Sequence, residues 1–470
     1  MAGEPEQGVH VVEFVGRPAT ELAATVRSGE VTAVEVVRAH LDHLAAIEHR
    51  LGAFVSTRRR QALDEAEAID GRADREGSPL AGVPVAIKDV VDVAGEPTRY
   101  GSRATSTEPA EADHPIVAAL RAAGAIVVGK TRCPELEAWG TSDDADGIAV
   151  SPWDPTRSAG GSSGGSAAAV SAGIVPIALA ADGMGSVRVP AGACGVVGIK
   201  PGSPHAPQEV GGSPHWFGMG RFGPIATTVA DAALMLDVMA GTSHLRDIRP
   251  LGDGLKVAVS WRSPAPGVVV ASAWREAALE AGRLLHHAGH EVMHDDPPYD
   301  RSTVQAAVAR WTQGVSADVA AMGLDPDLLQ PRTRAQAAAG DRLARVSPVR
   351  DEDAQRWRER VAPFFEEHDV LITPTFARAQ PAAGEWHTRP WAANFASNLS
   401  AYPFAAAWNL ADVPSIVVPL WEDGGRPLSV QVVAAAGREE LVLSVAAELE
   451  RLVPWRRHAP GWGVADLDPS

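Results

Sequence analysis

Apolar residues recur at helical spacing through residues 20–73: Leu22 and Val26, then Val34, Val37, Leu41, Leu44, Ile47 and Leu51, with Glu and Arg between them. That period lays the apolar side chains along one stripe and predicts two or three amphipathic helices packed on the body of the protein. Gly29 followed by Thr32 marks a helix stop and a fresh N-cap. The pattern then changes. Residues 83–93 are apolar and partly β-branched, broken by Lys88 and Asp89, and read as a strand whose period of two sends those side chains to opposite faces. A helix over 116–120 and a buried strand over 125–131 come next, then an alanine-rich helix over 166–173 and an apolar strand over 174–180. Strand, loop and helix succeed one another over 196–199, 201–221 and 229–239. Residues 256–260 read as a new strand, 271–288 and 302–321 as helices, and 332–345 as a polar, alanine-rich stretch. Strands return at 370–372, 415–418 and 429–433 before a last helix over 439–452. Such βα alternation predicts an α/β fold, a sheet covered by helices on both faces. No repeat, heptad or low-complexity tract interrupts it.

A chain of 470 residues is longer than one core usually supports. Either one large α/β domain with insertions or two domains fits, and composition does not separate them. Charge narrows the partners. The formal net charge is −17, from 42 basic and 59 acidic side chains, which disfavours nucleic acid or an anionic membrane as partner. The triple arginine 58–60 reads as a solvated helix face. Cys133 and Cys194 stand far apart without metal-ligand spacing, so two free thiols in a reducing compartment are expected, Cys133 as a packing residue. Residues 1–7 carry neither a positive nor a hydrophobic leader region, and the most apolar reach, 167–181, is shorter than the ~20 residues of a membrane span. Cytoplasmic residence follows by default.

Two glycine-framed serine loops carry the candidate chemistry: Ser158-Ala-Gly-Gly-Ser162-Ser163-Gly-Gly-Ser166 and Asp182-Gly183-Met184-Gly185-Ser186-Val-Arg188-Val-Pro190. Such loops let backbone N–H groups approach a ligand closely and suit an anion or oxyanion. The first precedes a predicted helix, whose N-terminus adds free N–H groups and the positive end of a dipole. Neither ends in the Gly-Lys-Ser/Thr of a phosphate loop, and their flanks are too regular for a linker. Upstream, Lys88 interrupts an apolar run, where burial favours the neutral amine that can accept a proton. Two serines and such a lysine supply a nucleophile, a relay and a base.

Gly82-Val-Pro-Val-Ala-Ile-Lys88-Asp89, Gly-Gly-Ser162-Ser-Gly-Gly-Ser and Gly-Ser186-Val-Arg-Val-Pro, the last followed by Cys194-Gly-Val-Val-Gly-Ile-Lys-Pro201, occur in that order, and the chain resembles the amidase signature family. The likeness continues through 223–231, 369–375 and 409–419, and is faintest over about 250–345. It implies a single domain over 1–470 built on a large mixed sheet: a helical region over 1–75, a catalytic core over 76–245, a variable helical insertion or cap over 250–345, and a return to the sheet over 350–470. It implies hydrolysis of a carboxylic amide in which Ser186 attacks, Ser162 with a cis peptide bond relays protons, and neutral Lys88 is the ultimate base. Backbone N–H groups of Gly183, Met184, Gly185 and Ser186 would form the oxyanion hole, and Ser163 would donate to the relay. Asp182 and Arg188 would brace the loop as a charge pair. Met184 departs from the small residues usual before the nucleophile, and would be strained if that position needs a positive φ.

Within His215-Trp216-Phe217-Gly218-Met219 the residues Trp216, Phe217 and Met219 are candidate substrate contacts, and Trp311, Trp386, Trp391 and Trp408 are available to line a cleft. The resemblance implies no cofactor and no metal, a small-molecule amide as substrate, and a homodimer as a common state. Acyl transfer to an amine in place of water uses the same acyl-enzyme and stays open. A subunit of a tRNA-dependent amidotransferase is disfavoured by Val189, where such subunits carry glutamine, and an inactive scaffold by the presence of Lys88, Ser162 and Ser186.

Overall fold

The computed structural model describes residues 14–72, 75–252 and 254–464; residues 1–7, read above for a leader, lie outside them. Eleven strands join in one sheet: β1 (Phe54–Thr57), β2 (Pro84–Lys88), β3 (Ile126–Thr131), β4 (Ile177–Asp182), β5 (Val197–Lys200), β6 (Arg221–Ala226), β7 (Lys256–Val259), β8 (Glu291–His294), β9 (Val370–Pro374), β10 (Ser415–Asp423) and β11 (Arg426–Ala434). Across the sheet they run β1-β3-β2-β4-β6-β5-β10-β11-β9-β7-β8. Both ends contain parallel strands, with β2 parallel to β3 and β4 and with β7 parallel to β8 and β9. The middle alternates antiparallel. The sheet is therefore mixed.

Period-two geometry shows how both faces are covered. On β7 and β9, Val257, Val259, Val370 and Ile372 belong to the larger apolar core. Their neighbours Ala258 and Leu371 belong to a second core. Successive side chains of a strand point to opposite faces, so one sheet separates two apolar layers. The second layer is built with the helices Arg301–Ala321, Asp351–Glu367 and Ala406–Ala411, which contribute Trp311, Trp357 and Trp408. The N-terminal pattern yields the helices Ala19–Ser28, Ala33–Leu51 and Arg59–Asp70. Gly29 ends the first at a positive φ, and Thr32 caps the second in a reciprocal capping box with Glu35.

Some local expectations change. The strand expected over 83–93 stops at Lys88, which therefore ends β2 with Asp89 already in a turn. Arg58 is not solvated: it is buried, donates to the Val127 carbonyl and pairs with Glu65 and Glu96, while Arg59 and Arg60 are exposed. The short β1 and β8 and the helices Asp351–Glu367, Trp391–Ala401 and Ala406–Ala411 add to the predicted set. Both cysteines are buried and free. Among the described residues no helix is long and apolar enough to cross a membrane.

Candidate active site

Lys88 ends β2 and Asp182 ends β4, and the two strands are parallel neighbours. Their C-terminal ends thus open at one edge of the sheet, the usual place for a site in an open α/β fold. The first glycine-serine loop feeds the helix Gly164–Ser171, with Ser163 as its N-cap. Its Gly161–Ser162 peptide bond is cis. Gly161 has no substitute here, since a Cβ would lie 2.6 Å from the Trp139 carbonyl oxygen. Lys88 Nζ donates to Ser162 Oγ at 2.8 Å, with both residues fully buried.

A second partner of Lys88 was not expected. Its ammonium also meets Glu137 Oε2 at 2.5 Å, so the amine is not alone in an apolar run. Burial alone would raise the Glu137 carboxyl, but Lys88 and His215, with hydrogen bonds from Lys88 and Gln208, hold it below the usual carboxylate range. The sequence placed Lys88 alone in an apolar run; the structure sets the buried Glu137 carboxylate against it. Leu136 and Glu137 both adopt a positive φ, of 52° and 57°, conformations that cost of order 1–3 kcal/mol each without glycine. That turn aims the carboxylate inward. Asp89 pairs with Lys130 at 2.8 Å, leaving Lys88 to Glu137.

The loop that carries Ser186 hangs on Asp182 and Arg188, both fully buried. The Arg188 fork spans the carboxylate, Nε to Oδ2 at 2.9 Å and one terminal nitrogen to Oδ1 at 3.0 Å. Arg188 also donates to Asn409 Oδ1, Gln431 Oε1 and the Ala405 carbonyl. Asp182 in turn accepts the N–H groups of Gly185 at 2.6 Å and Val187 at 3.1 Å. Gly185 N–H is therefore engaged and leaves the expected oxyanion set. Ser163 leaves the expected relay, because its hydroxyl donates to the Ala181 carbonyl of β4 and accepts from the Ala181 N–H. The positive φ of the loop falls on Gly185, at 114°, and not on Met184, which removes the strain feared for that methionine.

Ser186 faces an apolar cleft whose walls include Trp139, Met184, Trp216, Val308, Trp311, Phe395 and Tyr402. Of the ring residues proposed as contacts, Trp216 lines the cleft and its indole N–H is held by Asp318 at 2.9 Å. Phe217 is 44% exposed and Met219 is packed in the second core, and neither reaches the cleft. Trp311 lines it, whereas Trp386, Trp391 and Trp408 do not. Among the described residues one cluster of carboxylates and histidine could share a cation, Asp295, Glu367 and His368, and none of the three borders this cleft.

The family model for amidases matches residues 35–443. The protein belongs to the amidase family. It is an amide hydrolase of the amidase signature type. The chain is 38% identical over 453 residues to a putative amidase, AmiB2, of Mycobacterium bovis, covering 93% of this chain and 96% of that one. It is 31% identical over 484 residues to an acylamidase of Rhodococcus erythropolis, covering 97% and 98%. A solved 6-aminohexanoate cyclic dimer hydrolase with substrate bound superposes with a TM-score of 0.86 at 29% identity, over 95% of this chain and 99% of that one. The motifs of this amidase singled out Lys88, Ser162 and Ser186 as candidates, and the structure sets Lys88 against Ser162, and Ser186 on the cleft. Glu137 and its partner Gln208 sit in no such motif, and only the fold brings them to Lys88.

Proposed function

We propose that the enzyme hydrolyses a carboxylic amide through a Ser186 acyl-enzyme, with Ser162 as proton relay and Lys88 as ultimate base. The observation that carries this reading is the Lys88 Nζ to Ser162 Oγ contact of 2.8 Å at the foot of a loop that presents Ser186 to the cleft. Ser186 Oγ attacks the carbonyl carbon, its proton passes to Ser162, and the Ser162 proton passes to Lys88 in its free-amine form. Backbone N–H groups of Gly183, Met184 and Ser186 would receive the oxyanion. The same chain in reverse protonates the leaving nitrogen, and water then cleaves the acyl ester.

The cleft favours a neutral, largely apolar amide. Among the described residues it has no Arg or Lys in its wall, and its one carboxylate, Glu137, is committed to Lys88. A substrate charge buried there would stay unpaired. The names of two relatives, an acylamidase and a 6-aminohexanoate cyclic dimer hydrolase, support this range. The reading keeps the cytoplasmic setting, the single domain and the homodimer expected from the sequence.

Turnover of a panel of aryl and alkyl amides tests the chemistry. Ser162→Ala and Lys88→Ala are expected to lower kcat on the order of 10²–10⁴-fold at neutral pH with the far-UV circular dichroism retained. Near wild-type kcat in either variant removes that residue from the scheme. Val308→Asp is expected to raise KM for apolar amides about tenfold or more by placing a charge in the apolar wall, and an unchanged KM would move the substrate elsewhere.

A further inference from the structure

Among the buried titratable groups, Glu137 is the one that touches the base without a part in the scheme above. Its carboxylate meets Lys88 through Oε2, and its other oxygen accepts from Gln208 Nε2 at 2.6 Å. It sits on a turn held at positive φ over two residues, and it borders the cleft. Every facing charge is identifiable. Asp89 on the Lys88 side is consumed by Lys130. His215 Nε2 lies 4.0 Å from Glu137 Oε1 and closer, 3.3 Å, to Asp318 of the helix Arg301–Ala321. The half-buried Tyr100 phenol and the buried Cys133 thiol are both pushed up, by loss of solvation first.

We propose that Glu137 and Lys88 act as one base, Glu137 Oε2 taking the proton that Lys88 Nζ must shed before it can accept the proton of Ser162. This rests on the acyl-enzyme reading above. The steps balance: one proton moves from Nζ to Oε2, the Ser162 proton moves to Nζ, and the Ser186 proton moves to Ser162. The pair, neutral overall as carboxylate and ammonium, ends as carboxylic acid and ammonium opposite the new oxyanion. All three moves reverse when the leaving nitrogen is protonated. Moving the proton within the pair removes two buried charges at once, which a water-poor site favours. Glu137 is thus a positioning residue for the proton, acting through Lys88.

The consequence is a pH profile that belongs to the pair. With one proton the pair can accept, and with two it cannot, so the acid limb follows the Glu137 carboxyl, which the neighbouring charges hold low. Glu137→Gln leaves Lys88 as a lone base, and each pH unit below the titration of a base costs tenfold in the competent form. The experiment is the second-order rate of Ser186 labelling by a fluorophosphonate from pH 4 to about 10.5, for native enzyme, Glu137→Gln, Glu137→Asp and Ser186→Ala. Native enzyme is expected to keep its rate down to below about pH 5. Glu137→Gln should move the acid limb up by about a pH unit or more, toward the titration of the lone amine, and so lose about tenfold or more at pH 5, with Glu137→Asp retaining the native acid limb at a lower plateau. A Glu137→Gln profile parallel to native, or faster at pH 5, overturns the proposal. Should that variant fail to fold, a native acid limb at or above neutral pH overturns it alone. Labelling that persists in Ser186→Ala would instead sink the acyl-enzyme reading, so the two failures are distinct.

Discussion

Ser186→Ala is expected to reduce amide turnover by about 10⁴-fold or more, while the fold and melting temperature stay close to native. The size follows from losing the atom proposed to bond to substrate: in enzymes whose catalytic groups act as a unit, removing the nucleophile costs nearly as much as removing all of them. Substrate binding and the oxyanion donors would survive, so KM should change far less than kcat. The structural side is mild. Ser186 lies 9% exposed on the cleft wall, and its backbone, not its hydroxyl, ties the two loops together through the Ser163 N–H to Ser186 carbonyl contact. Steady-state kinetics with a thermal melt on the same sample checks both halves, and turnover within tenfold of native would refute the assignment.

Arg188→Ala is expected to have the largest effect on stability, about 3–5 kcal/mol, because it leaves a fully buried carboxylate without its partner. Burial alone would raise the Asp182 carboxyl, and Arg188, Asn409 and Lys200 hold it far below the usual range instead. The sign with pH follows. In the native enzyme a depressed carboxyl contributes stability that is present above the unfolded value near ~3.9 and is lost as pH falls below it. Without Arg188 the same carboxyl is raised by burial, and stability then declines as pH climbs above ~4. The deficit of the variant should therefore widen from pH 5 to pH 8. Activity should fall with it, since Asp182 holds the Gly185 and Val187 N–H groups that shape the nucleophile loop. Melting temperatures at the two pH values test this, and a deficit that is absent or narrows with pH would contradict it.

Patterns with a local cause were legible before the fold was known. Lys88, Ser162 and Ser186 stood out because glycine spacing and an interrupted apolar run are local, and the Gly29 stop and Thr32 cap are local too. What escaped was non-local. Arg58 looked like a surface charge until β3 and Glu96 closed over it. Gly185 and Ser163 looked like free donors, yet their acceptors are Asp182 and the backbone of β4, visible only when the loop is folded. Glu137 reaches Lys88 across 49 positions of chain. The helix Asp351–Glu367 was missed because Arg and Glu dominate it, although Ala354, Trp357, Val361 and Phe364 form a buried stripe at helical spacing. The mostly exposed strand β8 offered no apolar run.

The central claim is that Ser186, served by Ser162 and Lys88, forms the covalent bond to substrate. Inactivation of the enzyme with a fluorophosphonate, followed by digestion and mass-spectrometric mapping, tests it most directly. The account predicts one phosphonyl group on Ser186 at full inactivation. Full inactivation with Ser186 unmodified and the phosphonyl group on another residue would contradict it.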